Sequence, residues 1–195
     1  MARGMLGGVF EKAGDRELAA RLACNMLDLM RRIEEGAFAR AALDELLLLE
    51  LHACLCAGVA PPLAGWRGAN FPREPHPPPD FTLVPALVNE YCRDLRARLD
   101  ARAGGAPFDA LAFAEGRLLF IRPFAAFNGR ATRLWLREIL RRLGLPPVQL
   151  APLSAAARER YLAALRAHDR GDPAPLANLW RERLEAAWCS RAGIE

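Results

Sequence analysis

Residues 121–133 read Ile121-Arg122-Pro123-Phe124-Ala125-Ala126-Phe127-Asn128-Gly129-Arg130-Ala131-Thr132-Arg133. A helical apolar pattern running from about Phe108 ends at Ile121. Pro123 prevents its regular continuation, and a new pattern with Leu134, Ile139, Leu140 and Leu143 begins straight after Asn128-Gly129. The first N–H groups of a helix lack internal partners and carry the positive end of the helix dipole. Glycine there lets a ligand approach the backbone. Arg130 and Arg133, three residues apart, fall on one face of that first turn. Asn128, Gly129, Arg130 and Arg133 are therefore candidate residues for an anion site suited to phosphate. The plainer alternative is that Asn128 caps the helix and the arginines are solvated.

Outward from this loop, helical spacing dominates. Leu18, Leu22, Met26, Leu29 and Ile33 predict an amphipathic helix from Asp15 to about Glu34. A second is expected from about Ala39 to Cys56. Its Leu46–Leu49 run is apolar all round and reads as the central helix. Pro61-Pro62 stop it, and Gly65 to Asp80 changes character, with Trp66, Gly68, Asn70 and Pro72, Pro75, Pro77, Pro78 and Pro79. That stretch reads as a long connection with a short hairpin near 66–72, and such connections are often functional. Leu87, Tyr91, Leu95 and Leu99 mark a helix over about Val84–Arg102, broken by Gly104-Gly105. Gly144 reads as a helix C-cap before Pro146-Pro147. Ser154 reads as the N-cap of a helix to about His168. Asp172-Pro173 starts a last helix carrying Leu176, Leu179, Trp180, Leu184 and Trp188. The fold class is all-α: about seven helices around one core, with a proline-rich flap or short β-hairpin near 65–80.

Composition narrows the chemistry. The 195 residues are 52% hydrophobic and 26% charged, which fits a globular chain of one domain. A net charge of +4 is too small to imply nucleic-acid binding. Of 27 basic residues only Lys12 is lysine. A GC-rich coding bias explains most of that excess of arginine, leaving open whether a few arginines form a site. Ser154 and Ser190 are the only serines, and neither sits in a Gly-x-Ser-x-Gly turn. Cys24, Cys54, Cys56, Cys92 and Cys189 are odd in number and scattered, as expected of buried free thiols in a reducing cytoplasm. No Cys-x-x-Cys pair suggests zinc. Met1 to Phe10 is too short an apolar run for a signal peptide or membrane span.

The central stretch resembles the core motif of the Fic family, His-Pro-Phe-x-Asp/Glu-Gly-Asn-Gly-Arg-x-x-Arg, with Pro123, Phe124, Asn128, Gly129, Arg130 and Arg133 in register. Gly65-Trp66-Arg67 is similar to the family's approach to its flap hairpin, and Pro78-Pro79 and Val84-Pro85 follow in order. Leu143 to Pro147, Arg158-x-x-Tyr161-x-x-Ala164-Leu165, Gly171-Asp172 and Pro175-Leu176 resemble later family segments. The likeness spans about 43–185. It implies a Fic-like domain over 39–195 behind an N-terminal helical segment, 1–38.

The departures carry as much information. The family's catalytic His, a general base, corresponds to Arg122, and a guanidinium is not deprotonated at neutral pH. The family's magnesium-binding acid corresponds to Ala126, which has no side-chain oxygen for a hard cation. The family's first motif glycine corresponds to Phe127, costly wherever φ must be positive. His76, in the flap, is the one histidine placed to stand in as proton carrier. His52 reads as a core or cap residue and His168 as a cation at a helix end. Glu115, one to two turns before the motif, faces either the cavity or a structural partner. Ile33-Glu34-Glu35-Gly36 resembles the last positions of the family's inhibitory helix, with Arg31 where Ser or Thr is usual. If that likeness holds, Glu35 lies near Arg133.

The resemblance thus implies a scaffold for ATP or another nucleotide, without magnesium. Four readings stay open: a degenerate Fic protein that keeps an anion site, an enzyme repurposed for a phosphate- or carboxylate-bearing substrate, residual nucleotidyl or phosphoryl transfer to a protein hydroxyl, and a toxin–antitoxin-type interaction module. The expected partners are an anionic small molecule or nucleotide, a protein target, or a second copy in a homodimer, with no nucleic acid and no membrane.

Overall fold

In a computed structural model of the chain, the described residues are 14–60, 63–72, 76–101 and 107–193. They form seven α-helices: α1 Gly14–Glu34, α2 Glu45–Cys56, α3 Val84–Ala101, α4 Phe108–Ile121, α5 Asn128–Arg142, α6 Ala155–Asp169 and α7 Ala174–Ala192. A 3-10 turn at Phe81–Leu83 leads into α3. The expected breaks at Pro61-Pro62 and Gly104-Gly105, together with Pro75 and Met1–Phe10, lie outside the described residues.

Each helix turns its apolar stripe inward. α1 buries Leu22, Leu29 and Ile33, and α3 buries Val84, Val88, Tyr91, Cys92 and Leu95. The expected helix from Ala39 starts six residues later. Asp44 accepts hydrogen bonds from the N–H groups of Leu46 and Leu47 (3.1 and 3.2 Å), which fixes the start of α2. Nor is α2 buried all round, since Leu46 is 69% exposed. The central position belongs to α4, which packs against α3, α5, α6 and α7. α4 can do so because Ala110, Ala112, Ala114 and Gly116 keep its surface low. A Cβ on Gly116 would sit 2.6 Å from the His168 ring of α6, so that helix crossing requires glycine.

A buried polar chain ties the centre together. Tyr91 donates to the Ala114 carbonyl (2.9 Å) and accepts from Trp135 Nε1 (2.9 Å), linking α3, α4 and α5. Ser154 caps α6 by accepting from the Ala157 N–H (3.1 Å). Trp188 of α7 is 42% exposed. Two cysteines depart from the buried expectation: Cys24 and Cys189 are exposed, Cys54 is half-buried, and Cys56 and Cys92 are buried.

The flap is not a hairpin among the described residues. Its one strand-like contact is an isolated antiparallel bridge between Trp66 and Phe124, so the flap pairs with the motif loop and not with itself. Five prolines between 72 and 79 supply no N–H groups for a ladder, which accounts for the difference. Among the described residues, no helix is long and apolar enough to cross a membrane.

Candidate functional site

The motif loop joins the C-terminus of α4 to the N-terminus of α5, and two residues make its sharp turns. Arg122 and Phe127 are the described non-glycine residues with positive φ, 46° and 62°. Each left-handed residue of this kind costs about 1 kcal/mol. Phe127 thus holds the backbone shape in which glycine is at ease, and its half-buried ring packs against the core edge. The Arg130 guanidinium lies over that ring, 5.5 Å from its centroid.

Asn128 does not project outward as a ligand would. Its Oδ1 accepts from the Phe124 N–H (2.9 Å) and its Nδ2 donates to the Phe124 carbonyl (2.7 Å), closing the loop on itself. The cap reading of this side chain gives way to a loop staple, since the α5 N-cap is Phe127 and has no side-chain cap bond. Its backbone still opens the first turn of α5, next to Gly129. Arg133 is half-buried, with a guanidinium nitrogen close to Gly129. Burial first, then the charge of Arg130, lower its pKa from the usual arginine value, while Tyr161 and Glu115 oppose that. Arg130 is exposed.

Beneath the loop lies His52, fully buried on α2. Its ring stacks on Phe124 at 3.6 Å, and Nε2 lies 3.0 Å from the Ala126 carbonyl. A carbonyl only accepts, so Nε2 carries the proton. Burial pushes the His52 pKa down, which keeps the ring neutral. The core reading of His52 was right in kind. Its task of shelving the motif loop needed the fold to become visible, because 74 residues separate it from Ala126.

Arg67 fastens the flap to the same loop. It is 3% exposed. Its backbone N–H donates to the Pro123 carbonyl (2.8 Å) and its Nε to the Arg122 carbonyl (2.9 Å). Its remaining nitrogens reach the Ala69 carbonyl and Asn70 Oδ1 (both 3.2 Å) and the Pro79 carbonyl. Asp80 extends the cluster, accepting from Asn70 (2.6 Å) and from the Thr82 hydroxyl and N–H. The Thr82 hydroxyl, Asn70 and the Thr82 N–H hold the Asp80 carboxyl down to about 2. The sequence marked Arg67 only by its resemblance to the family's flap approach.

Arg122 and His76, the two residues considered for catalysis, line one cavity of about 400 Å³. The flap contributes His76, Pro77 and Pro78, the end of α4 contributes Leu119, Phe120 and Arg122, and the end of α6 contributes Arg166, Asp169 and Arg170. Asn128, Gly129, Arg130 and Arg133 are not among its lining residues. The candidate residues therefore sort into two groups, those that line this cavity and those that do not.

Two other residues resolve. Glu115, 1% exposed, accepts from the Tyr161 hydroxyl (2.7 Å) and from Arg183 (2.8 Å), so it is a structural anchor between α4, α6 and α7. Glu35 gives both carboxylate oxygens to Arg31 (2.9 Å each), on the exposed side of the turn after α1. Among the groups that shift Arg133, the carboxylate is that of Glu115. A magnesium ion does not fit the loop on these observations: Ala126 offers no side-chain oxygen, and its carbonyl is engaged by His52. Among the described residues, no three His, Cys, Asp or Glu side chains gather as metal ligands would.

No family model matches the chain. The protein adenylyltransferases fic-1 of Caenorhabditis elegans and Caenorhabditis briggsae are each 36% identical to it over 81 residues, which is 42% of this chain and 15% of the relative. Among solved structures, Fic-1 of Caenorhabditis elegans superposes with a TM-score of 0.69 at 24% identity, over 98% of this chain and 56% of that one. A Fic-domain-containing signalling protein of Bacteroides thetaiotaomicron gives 0.67 at 15% identity, over 90% and 70%. BepC, a VirB-translocated effector of Bartonella tribocorum with bound AMPPNP, gives 0.62 at 15% identity, over 87% of each chain. The chain spans only part of the curated relatives it matches. The seven-helix arrangement agrees with these structures, and the chain has the Fic fold.

Proposed function

We propose that this protein is a degenerate Fic-family member that binds an anionic ligand at its motif loop and does not AMPylate proteins by the usual His-dependent route. The observation that carries this reading is Arg122. It stands at the end of α4 where the family keeps its base, and there it lines the cavity under the flap with a cation that cannot accept a proton. Arg130 and Arg133, on the first turn of α5, supply the rest of the positive field, and the α5 dipole adds to it. The AMPPNP bound by BepC supports a phosphate-bearing ligand as the first to try.

The test is thermal stability in the presence of inorganic phosphate and of ATP, with and without magnesium. The expected result is a magnesium-independent rise in Tm that Arg133→Ala removes. No response to either anion would overturn the reading and leave an interaction module or dimer partner as the role of the scaffold.

A second reading has its own observation: His76 and Arg122 line the same cavity. In a repurposed enzyme acting on a phosphate- or carboxylate-bearing substrate, Arg122 would stabilise developing negative charge and His76 would carry the proton. Residual nucleotidyl transfer is tested by labelled ATP in a lysate. Arg122→His combined with Ala126→Asp would gain transfer only on a scaffold that still positions the phosphates. A cytoplasmic location accords with the free thiols.

A further inference from the structure

Where α4 and α6 cross, a histidine ring fills the space that a side chain on α4 would need. The His168 ring lies against the Gly116 backbone, 2.6 Å from where a Cβ would sit. Ala164 and Ala167, the buried residues of α6, share its helix face and bring α6 close to α4. The two halves of α6 are held differently. Its first half is tied down by Tyr161, which donates to Glu115 of α4 (2.7 Å), and by the Arg160–Glu182 ion pair with α7. After the turn, α7 is seated in the core by Leu176, Ala177 and Trp180. Between these anchors, the last two turns of α6 rest on α4 through Ala164, Ala167 and His168. The charged groups around the ring come from three helices: Glu115 and Arg117 of α4, Arg98 of α3 and Asp169 of α6 itself. Arg98 and Arg117 sit over the rings of Phe113 (4.3 Å) and Phe120 (5.3 Å), and Glu115 is engaged by Tyr161 and Arg183. Burial above all, with Arg117 and Arg98, holds the ring below the usual histidine pKa, against the pull of Asp169 and Glu115. The expectation of a cation at this helix end gives way to a neutral ring.

We propose that His168 is an acid-sensitive latch: neutral, its ring holds the last two turns of α6 on α4, and protonated it lets them lift away. A proton taken up from water puts a third cation beside Arg98 and Arg117 in a half-buried contact, where charge is poorly solvated. In the lifted state the imidazolium reaches water and that cost is gone. Because the closed ring binds protons less readily than the open one, closure is favoured above about pH 6.5 and loses ground as pH falls through that value. The opening is local, since Tyr161 and the start of α7 keep their own anchors. The last turns of α6 also line the cavity under the flap through Arg166, Asp169 and Arg170, so release alters that cavity's wall without unfolding the chain. The inference does not depend on a ligand being bound there.

Native-state hydrogen exchange of the full chain at pH 7.5 and 5.5, with each rate divided by the intrinsic rate at that pH, tests it. Peptides covering residues 162–170 are expected to lose roughly three- to tenfold in protection at pH 5.5, tenfold being about the limit for one proton on a group with an open-state pKa near 6.5. They should still exchange faster than α4 at both pH values, as local opening requires. In His168→Gln, which keeps a planar polar side chain but takes up no proton, the change in these peptides is expected to be less than twofold. A wild-type change below twofold, the same change in His168→Gln, or α6 protection equal to that of α4 overturns the proposal. Should His168→Gln fold poorly, an NMR titration of the wild type decides. The amide signals of Ala164–Asp169 are expected to move with the same midpoint as the His168 ring protons, and a ring that titrates while those amides stay still overturns the proposal.

Discussion

Replacing Arg67 by Met separates the flap from the motif loop while keeping most of the buried volume. The side chain makes four hydrogen bonds: to the carbonyls of Arg122, Ala69 and Pro79 and to Asn70 Oδ1. Met restores none of them, and each acceptor left buried without a partner costs about 1–3 kcal/mol. Two effects reduce the total. The variant no longer has to bury a guanidinium, and the loop can admit water to some of the carbonyls. A net loss of about 3 kcal/mol follows, in line with breaking a buried charged network. For a chain of this size, each kcal/mol moves Tm by about 2–4 °C, so a fall of about 6–12 °C is expected in a calorimetric or circular-dichroism melt. Hydrogen exchange should also rise in peptides covering 65–80 and 122–127, and little in α3 or α7. Arg67→Lys should recover only part of the loss, because one ammonium cannot span acceptors in the flap and the motif loop together. A Tm within 2 °C of the wild type, with exchange in the flap unchanged, would refute the view that Arg67 joins the two segments.

Phe127→Gly removes a left-handed strain of about 1 kcal/mol but gives up the packing of a half-buried ring, so Tm should move by no more than about 3 °C; Phe127→Val keeps the strain with a β-branched side chain and should lower Tm clearly, as thermal melts of both variants would show. The folded-state pKa values of His52 and His168 are depressed, chiefly by burial, so the unfolded chain binds protons more readily below about pH 6.5. Their contribution to stability is present above that pH and is lost as pH falls below it. His52→Gln, which can still donate to the Ala126 carbonyl, should flatten part of this slope in denaturation midpoints measured from pH 7.5 to 5. Burial raises the Cys56 thiol to about 11 and the Cys92 thiol to about 12, so at pH 8 iodoacetamide should label Cys24 and Cys189 quickly and leave Cys56 and Cys92 intact until the chain is unfolded, as peptide mass mapping would report.

The sequence by itself determined the helices and the identity of the central motif. Periodicity set α1, α3, α4 and α7 to within a few residues, since the 3.6-residue repeat of burial is a local property of one helix on one core. The chemistry of Arg122 and Ala126 was equally readable, because the inability of a guanidinium to act as a base, or of a methyl group to ligate a metal, needs no coordinates. What only the tertiary structure decided was which residues share a space. Glu115 found Tyr161 and Arg183, 46 and 68 residues away, partners that neighbouring sequence does not name, whereas Asn128 and Glu35 settled on Phe124 and Arg31 only four residues off. His52 and Arg67, separated from the motif loop by 74 and 55 residues, became its support and its clamp. Arg122 came to line a cavity that Arg130 and Arg133 do not share. Long-range polar contacts are fixed by how helices pack, through geometry that a one-dimensional pattern does not encode, and it is that packing which decides where an anion can sit.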